Sequence, residues 1–276
     1  MRVMARPKRR GGALTPAQKR QYQHLVQAGW DALTSGDLER AEREFREATQ
    51  LAPHRGEAWH GLGVTRYQQG NPSAAYDALR KAVHLSPHLA EAWFNLAHVA
   101  DTLGYTLEAH DAAQEALNQA RRQGYPESIL SGMEQVARAL HQAIQRLAEE
   151  LGLSLHSEED LRRLRRSYRA FQEGIQAAQQ GDFATAAAAF QRAVEDGAES
   201  ARTWGNLGVA LLMLRELDRA EAALRRALEL NPNYTPAQQN LQLLSKVREN
   251  PNIELDTLLH GYTDTKFNAP KRDRLK

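Results

Sequence analysis

The sequence predicts an all-α protein built as a solenoid of antiparallel helix hairpins, and three observations lead to this prediction. Large and small residues recur at an interval of 34 positions through most of the 276-residue chain. Glycine and proline interrupt the helical periodicity within each interval and so divide it into two helices. The composition is rich in Ala, Leu, Gln, Arg and Glu, which favour helices. Each hairpin would bury its apolar face against the next, without one central core.

The clearest unit of this pattern runs from Gly56 to Leu89. Its first helix carries bulky residues on one face and ends at a Gly-Asn-Pro stop. Its second helix has small residues along a narrow face, which lets it lie close to the first, and a proline ends it. The residues that define the frame are Trp59, Leu62, Gly63, Tyr67, Gly70, Ala75, Leu79, Ala82 and Pro87.

The frame returns at two groups of starting positions. These are residues 22, 56 and 90, followed by 167, 201 and 235, with the last opening half a copy. The pattern resembles the tetratricopeptide repeat (TPR), whose W-x2-L-G-x2-Y…A-x3-F…P signature has the same period. The resemblance implies a TPR-type α-solenoid that binds proteins on its concave surface.

The interval between the two groups of repeats sets the predicted domain organisation. Between them, apolar spacings of three and four predict one long amphipathic helix from Glu127 to Leu151, and Ser157 resembles the N-cap of the next helix. A break at Ser131-Gly132 or at Gly152 would instead preserve a single superhelix. We expect a disordered basic tail at 1–20, a first lobe of three repeats at 21–124, a helical insert or degenerate repeat at 125–166, a second lobe of two repeats plus a capping helix at 167–248, and a C-terminal segment with a basic tail at 249–276.

Charge is distributed unevenly along the chain. Residues 1–20 contain seven Lys/Arg and no acid, and the last thirteen residues contain five bases and two acids. Residues 21–263 then hold 24 bases and 32 acids. Because the folded body is acidic, nucleic acid could be contacted only through the tails, which otherwise serve as solubilising segments.

Several classes of protein do not fit the sequence. It has no cysteine, no apolar run long enough to span a membrane and no apolar stretch in the basic N-terminus that would make a signal peptide. The ten histidines form no HExxH motif, and phosphate-binding and nucleophile motifs are missing. We therefore expect a cytoplasmic, non-catalytic protein without cofactor or metal.

The resemblance implies that partners bind to first-helix side chains at the second, fifth, ninth, twelfth and thirteenth positions of each unit. Trp30 is the preferred anchor, and the shared sixth position implies that Asn95 and Asn206 hold a peptide backbone. The Lys and Arg residues with which chaperone adaptors clamp an acidic C-terminus are not matched. The candidate residues are Trp30, His60, Tyr67, Phe94, Asn95, His98 and Asp101 in the first lobe, and Phe171, Arg202, Asn206, Val209 and Met213 in the second.

Two alternatives to a protein or peptide partner in these grooves stay open at this point. The chain could cover its own groove, with either the helix at 127–151 or the segment that contains Ile253, Leu255, Leu258 and Leu259. Such a covered module could also form a homo-oligomer. Either alternative would explain large apolar surfaces that otherwise require an occupant.

Overall fold

The computed structural model describes residues 14–253 and residue 255, and this part of the chain contains twelve α-helices and no strand. The predicted all-α fold of helix hairpins is confirmed. The helices are α1 (Pro16–Thr34), α2 (Leu38–Leu51), α3 (Gly56–Gln68), α4 (Pro72–Leu85), α5 (Ala90–Thr102), α6 (Thr106–Arg122), α7 (Glu127–Glu150), α8 (Glu158–Gln179), α9 (Phe183–Glu195), α10 (Ala201–Met213), α11 (Leu217–Leu230) and α12 (Thr235–Glu249).

The chain forms two compact units, Met1–Leu140 (unit 1) and His141–Lys276 (unit 2), with the boundary inside α7. In unit 1, α1 pairs with α2, α3 with α4, and α5 with α6. In unit 2, α8 pairs with α9 and α10 with α11, and α12 packs against α11. Four helices, α3, α5, α10 and α12, begin at the first residue of a predicted repeat.

A glycine at the eighth position makes room for the large residue at the twenty-fourth position of the same hairpin. A Cβ atom on Gly63 would lie 2.6 Å from Cγ of Leu79, and one on Gly208 would lie 2.6 Å from Cγ of Leu224. Both leucines are fully buried. The repeated spacing of small and large residues is therefore a packing rule that holds in both units.

Residue fifteen of each unit closes the first helix in the left-handed backbone conformation. Glycine occupies this position in four units, with φ between 75° and 80° at Gly36, Gly70, Gly104 and Gly181. The unit that starts at Ala201 has Arg215 there, with φ of 62°. This conformation costs a residue with a Cβ atom roughly 1–2 kcal/mol, so Arg215 needs compensating contacts.

The start of α1 corrects the predicted N-terminal tail. The Thr15 hydroxyl accepts a hydrogen bond from the Gln18 backbone N–H at 3.2 Å, and the Gln18 side chain accepts one from the Thr15 N–H at 2.9 Å. With Pro16 at the first helical position, this capping box starts the helix there. The prediction of disorder through residue 20 is wrong for residues 16–20, and residues 1–13 lie outside the described part.

The predicted long helix between the repeat groups is α7, which continues through Ser131-Gly132 and ends at Glu150. Gly152 follows with φ of 77°, and a Cβ atom there would lie 2.5 Å from the carbonyl oxygen of Glu199. The next helix, α8, is capped by the Ser157 hydroxyl, which accepts from the Asp160 N–H at 3.1 Å. The helix α8 then runs without a break into the repeat frame at Ser167. The division into repeat lobes at 21–124 and 167–248 stays a prediction.

Candidate partner-binding surface

The first helices of unit 1, α1, α3 and α5, lie side by side and are joined through their side chains. The Asn95 side-chain nitrogen lies 2.8 Å from Nε2 of His60, and the hydroxyls of Tyr67 and Thr102 lie 3.1 Å apart. Each contact joins α3 to α5. We call the area defined by Trp30, His60, Tyr67, Glu91, Phe94, Asn95, His98, Asp101 and Thr102 the first-helix surface of unit 1.

The centre of this surface is a row of three side chains on three helices. The ring of Trp30 meets the ring of His60 edge-on at 5.3 Å between centroids, and His60 meets Asn95. Burial lowers the pKa of His60 to about 4, while the charge of Glu91 acts in the opposite direction. A neutral imidazole accepts the Asn95 N–H at Nε2, which orients the carboxamide.

Trp30 also has a structural role, because its ring meets Phe45 edge-on at 5.2 Å between centroids. Phe45 is fully buried in the hairpin core, and Trp30 is partly buried. Truncation of Trp30 would therefore disturb the core as well as any bound ligand.

The C-terminal part of the surface is more accessible. The Tyr67 side chain is 41% exposed, and His98, Asp101 and Thr102 are also exposed. The ring of Phe94 is partly buried and meets that of His98 edge-on at 4.7 Å between centroids. Thr102 was missed among the candidates, although it is the thirteenth residue of its unit and the spacing rule could have found it.

Acidic residues occupy the second position of two units: Glu91 belongs to the first-helix surface, and Glu57 holds the equivalent position of α3. Tyr22 donates a hydrogen bond to Glu57 at 3.1 Å, and Tyr125 donates one to Glu91. The pKa of Tyr22 is raised by burial and then by the Glu57 charge. The hydrogen bond to Glu91 and then burial raise the pKa of Tyr125 to about 12. Both carboxylates are therefore acceptors for neutral phenols at physiological pH.

The candidates in unit 2 are placed differently. Phe171, Asn206 and Val209 are buried, and the guanidinium of Arg202 lies 5.1 Å from the centroid of the Phe171 ring. Met213 is partly buried. Every residue of α10 from Gly205 to Leu212 is buried, whereas α5 keeps exposed residues along the face that carries His98. The structure thus brings the unit 1 candidates together at an accessible surface and places most unit 2 candidates in the interior.

The chain after α12 returns to the end of α10. The Arg215 guanidinium donates to the carbonyl oxygens of Pro251 and Ile253, both at 2.6 Å. Leu255 is 5% exposed, and Ile253 is partly buried. Two other residues of the predicted plug, Leu258 and Leu259, lie outside the described residues. The first part of this segment is therefore bound to unit 2 through Arg215.

Two general findings apply to residues 14–253 and 255. None of the described helices combines the length and the apolar character needed to cross a membrane. In the same part of the chain, no three His, Cys, Asp or Glu side chains cluster closely enough to hold a metal ion.

Comparison with known families identifies the repeat. The tetratricopeptide repeat model matches residues 26–90 and residues 171–235, one stretch in each unit. These two stretches are tetratricopeptide repeats. No curated protein sequence matches it.

Several solved structures contain chains similar to this one. A mutant O-GlcNAc transferase of Thermobaculum terrenum is 30% identical over 38% of this chain and 20% of its own, with a TM-score of 0.37. The MamA protein is 19% identical over 79% of this chain and 95% of its own, with a TM-score of 0.34. The TPR2B domain of yeast Sti1, in a complex with pHsp70, is 14% identical over 45% of this chain and 98% of its own, with a TM-score of 0.42. The chain spans about one fifth of the length of the transferase.

Consecutive tetratricopeptide repeats of this chain are also joined by a bond from the fourth residue of one repeat to the thirty-second residue of the repeat before it. Nε1 of Trp59 donates to the carbonyl oxygen of Pro53 at 3.2 Å, and Nε1 of Trp93 donates to that of Pro87 at 2.8 Å. Trp204 occupies the same position, but its Nε1 is buried without a hydrogen-bond partner among the described residues. The preceding repeat has alanine, not proline, at its thirty-second position. Among these three tryptophans, the bond is thus present where the preceding repeat has proline at its thirty-second position and missing where it has alanine.

Proposed function

We propose that this chain is a non-catalytic, cytoplasmic scaffold whose first-helix surface in unit 1 binds a segment of a partner protein. The observation that carries the proposal is the continuous set of aromatic and amide side chains across α1, α3 and α5. Trp30, His60 and Asn95 form its ordered centre, while Tyr67 and His98 are accessible. Exposed aromatic side chains are typical anchors of protein interfaces.

The paired His60 and Asn95 would give this surface a preorganised hydrogen-bonding group. Since the Asn95 N–H is directed at His60 Nε2, the carboxamide oxygen keeps its capacity to accept. A backbone N–H of a bound segment is a suitable donor. Because the Asn95 side chain is already oriented, it loses little rotational freedom on binding, and the entropic cost of binding is smaller.

Unit 2 is a weaker candidate for a second binding site. A ligand at Phe171, Asn206 or Val209 would have to displace the parts of the chain that cover them, while Arg202 and Met213 are only partly buried. We therefore place partner binding in unit 1 and propose that unit 2 contributes a covered, structural module.

The proposal can be tested with variants of exposed residues, because these leave the hairpin cores intact. The full chain and its Tyr67→Ala/His98→Ala variant are compared in pull-downs from native lysate, after circular dichroism has shown equal helix content. Arg43→Ala/His84→Ala is the matched control, since both residues are exposed on second helices. We expect proteins that the wild type and the control retain and the surface variant loses. Equal retention by all three chains would refute the proposed site.

A further inference from the structure

The first-helix surface of unit 1 carries negative charge at both ends of α5. Glu91 and Asp101 are exposed and lie ten residues apart, which corresponds to about 15 Å along a helix. Glu57 adds a carboxylate on α3, at the same position in its unit as Glu91. Phe94 and His98 lie between the two acidic residues of α5.

Basic side chains do not neutralise this surface from its own helices. The helix α5 contains no Lys or Arg, and the one in α3, Arg66, lies 3.6 Å from Glu42 of α2 and donates to the Ala74 carbonyl oxygen at 3.4 Å. Arg66 is therefore directed toward second helices. The helix α1 has Lys19 and Arg20, both ahead of the repeat frame that begins at Tyr22.

We propose that the partner segment bound here is basic, with Lys or Arg side chains next to apolar or aromatic ones. This inference rests on the proposed function and specifies the chemistry of its partner. Cationic side chains would pair with Glu91 and Asp101 at the two ends of α5. The faces of Tyr67 and Phe94 add cation–π contacts for Arg or Lys, and their apolar bodies receive the neighbouring side chains. His60 contributes no opposing charge, because burial keeps its pKa far below neutral pH.

A displayed library of random twelve-residue peptides tests the proposal on the full chain at pH 7.5. We expect the wild type to enrich peptides of positive net charge that combine Lys or Arg with aromatic or aliphatic residues. The best of them, synthesised with a fluorescent label, should bind about tenfold more weakly to Glu91→Gln/Asp101→Asn. Its affinity for Glu39→Gln/Glu47→Gln, which removes two exposed acids from α2, should stay within about twofold of wild type.

Two further variants, Asp101→Asn and Tyr67→Ala/His98→Ala, separate the charge of the partner from the location of the site. Asp101→Asn removes a charge that has no described hydrogen bond, so it should weaken binding without the loss of the Tyr125–Glu91 contact. Enrichment of neutral or acidic peptides that no longer bind Tyr67→Ala/His98→Ala would overturn the basic partner but support the site. Enrichment that does not depend on Tyr67 and His98, or none at all, would overturn both proposals. Displacement by a peptide of residues 1–12 at equal affinity would assign the surface to the chain's own tail instead of a partner.

Discussion

The side-chain nitrogen of Asn95 lies 2.8 Å from Nε2 of His60, and this contact joins α5 to α3 at the centre of the first-helix surface. Only an imidazole without a proton on Nε2 can accept this N–H. Burial lowers the pKa of His60 to about 4, so the dominant form at neutral pH is the neutral imidazole, which accepts at Nε2 when its proton is on Nδ1. The geometry of the proposed binding site is therefore coupled to the protonation of one histidine.

This coupling predicts a loss of stability in mild acid. The folded-state pKa of His60 is lower than its ordinary value of 6.5, so the unfolded chain binds a proton more readily. The contribution of His60 is fully present above about pH 6.5 and is lost as the pH falls toward 4. Between pH 7.5 and pH 5 the free energy of unfolding should fall by about 2 kcal/mol through this group.

Urea denaturation of wild type and His60→Gln at the two pH values measures that contribution. The decrease in unfolding free energy should be smaller in His60→Gln, while the exposed-loop control His54→Gln keeps the wild-type decrease. If wild type and His60→Gln show the same pH dependence, the protonation of His60 is not coupled to folding.

The bond between the fourth residue and the preceding proline predicts that two equivalent tryptophans differ in their contribution to stability. Trp93→Phe removes the 2.8 Å hydrogen bond to the Pro87 carbonyl oxygen, whereas Trp204→Phe removes a buried donor that has no partner among the described residues. Loss of ring bulk is common to both variants. Trp93→Phe should therefore lower the unfolding free energy by about 1 kcal/mol more than Trp204→Phe. Thermal and urea denaturation of the two variants would show this difference, and equal losses would contradict it.

The packing rule in each hairpin predicts opposite effects of the same substitution at two helical glycines. Gly63→Ala places a methyl group 2.6 Å from Cγ of Leu79 and should destabilise the protein by about 1–3 kcal/mol. Gly132→Ala, in an exposed part of α7 with open space around it, should stabilise it by up to about 1 kcal/mol. If both denaturation midpoints move in the same direction, the lack of space around Gly63 does not decide the effect of the substitution there.

The left-handed backbone at Arg215 predicts that two small replacements of its side chain differ in stability. Alanine and glycine both remove the hydrogen bonds to Pro251 and Ile253. Only glycine relieves the backbone strain at φ of 62°, so Arg215→Gly should be more stable than Arg215→Ala by about 1 kcal/mol. Equal stability of the two variants in urea would mean that the left-handed conformation is not retained without the arginine.

The repeat frame could be predicted from the sequence because its packing is local. Gly63 and Leu79 belong to one hairpin, so their fixed spacing reflects a direct contact. The start of α1 was also readable, since Thr15 and Gln18 have the spacing of a capping box. The sequence also shows arginine at position 215, where four other units have glycine.

The burial of Asn206 and Val209 could not be predicted in this way. Their positions in the repeat are the same as those of Asn95, which is partly buried, and His98, which is exposed. The difference arises from tertiary packing in unit 2, which periodicity within one hairpin does not encode. The contacts of Arg215 with Pro251 and Ile253, which lie 36 and 38 positions further along the chain, have the same origin.

Site-specific photocrosslinking tests whether a partner protein binds at the first-helix surface of unit 1. A photoreactive phenylalanine derivative is introduced at Tyr67 in one chain and, as control, at the exposed His84 of α4 in another. Irradiation in native lysate should yield a discrete protein adduct from position 67 and none from position 84 if the partner binds at this surface. The same adducts from both positions, or an adduct from position 84 alone, would contradict it.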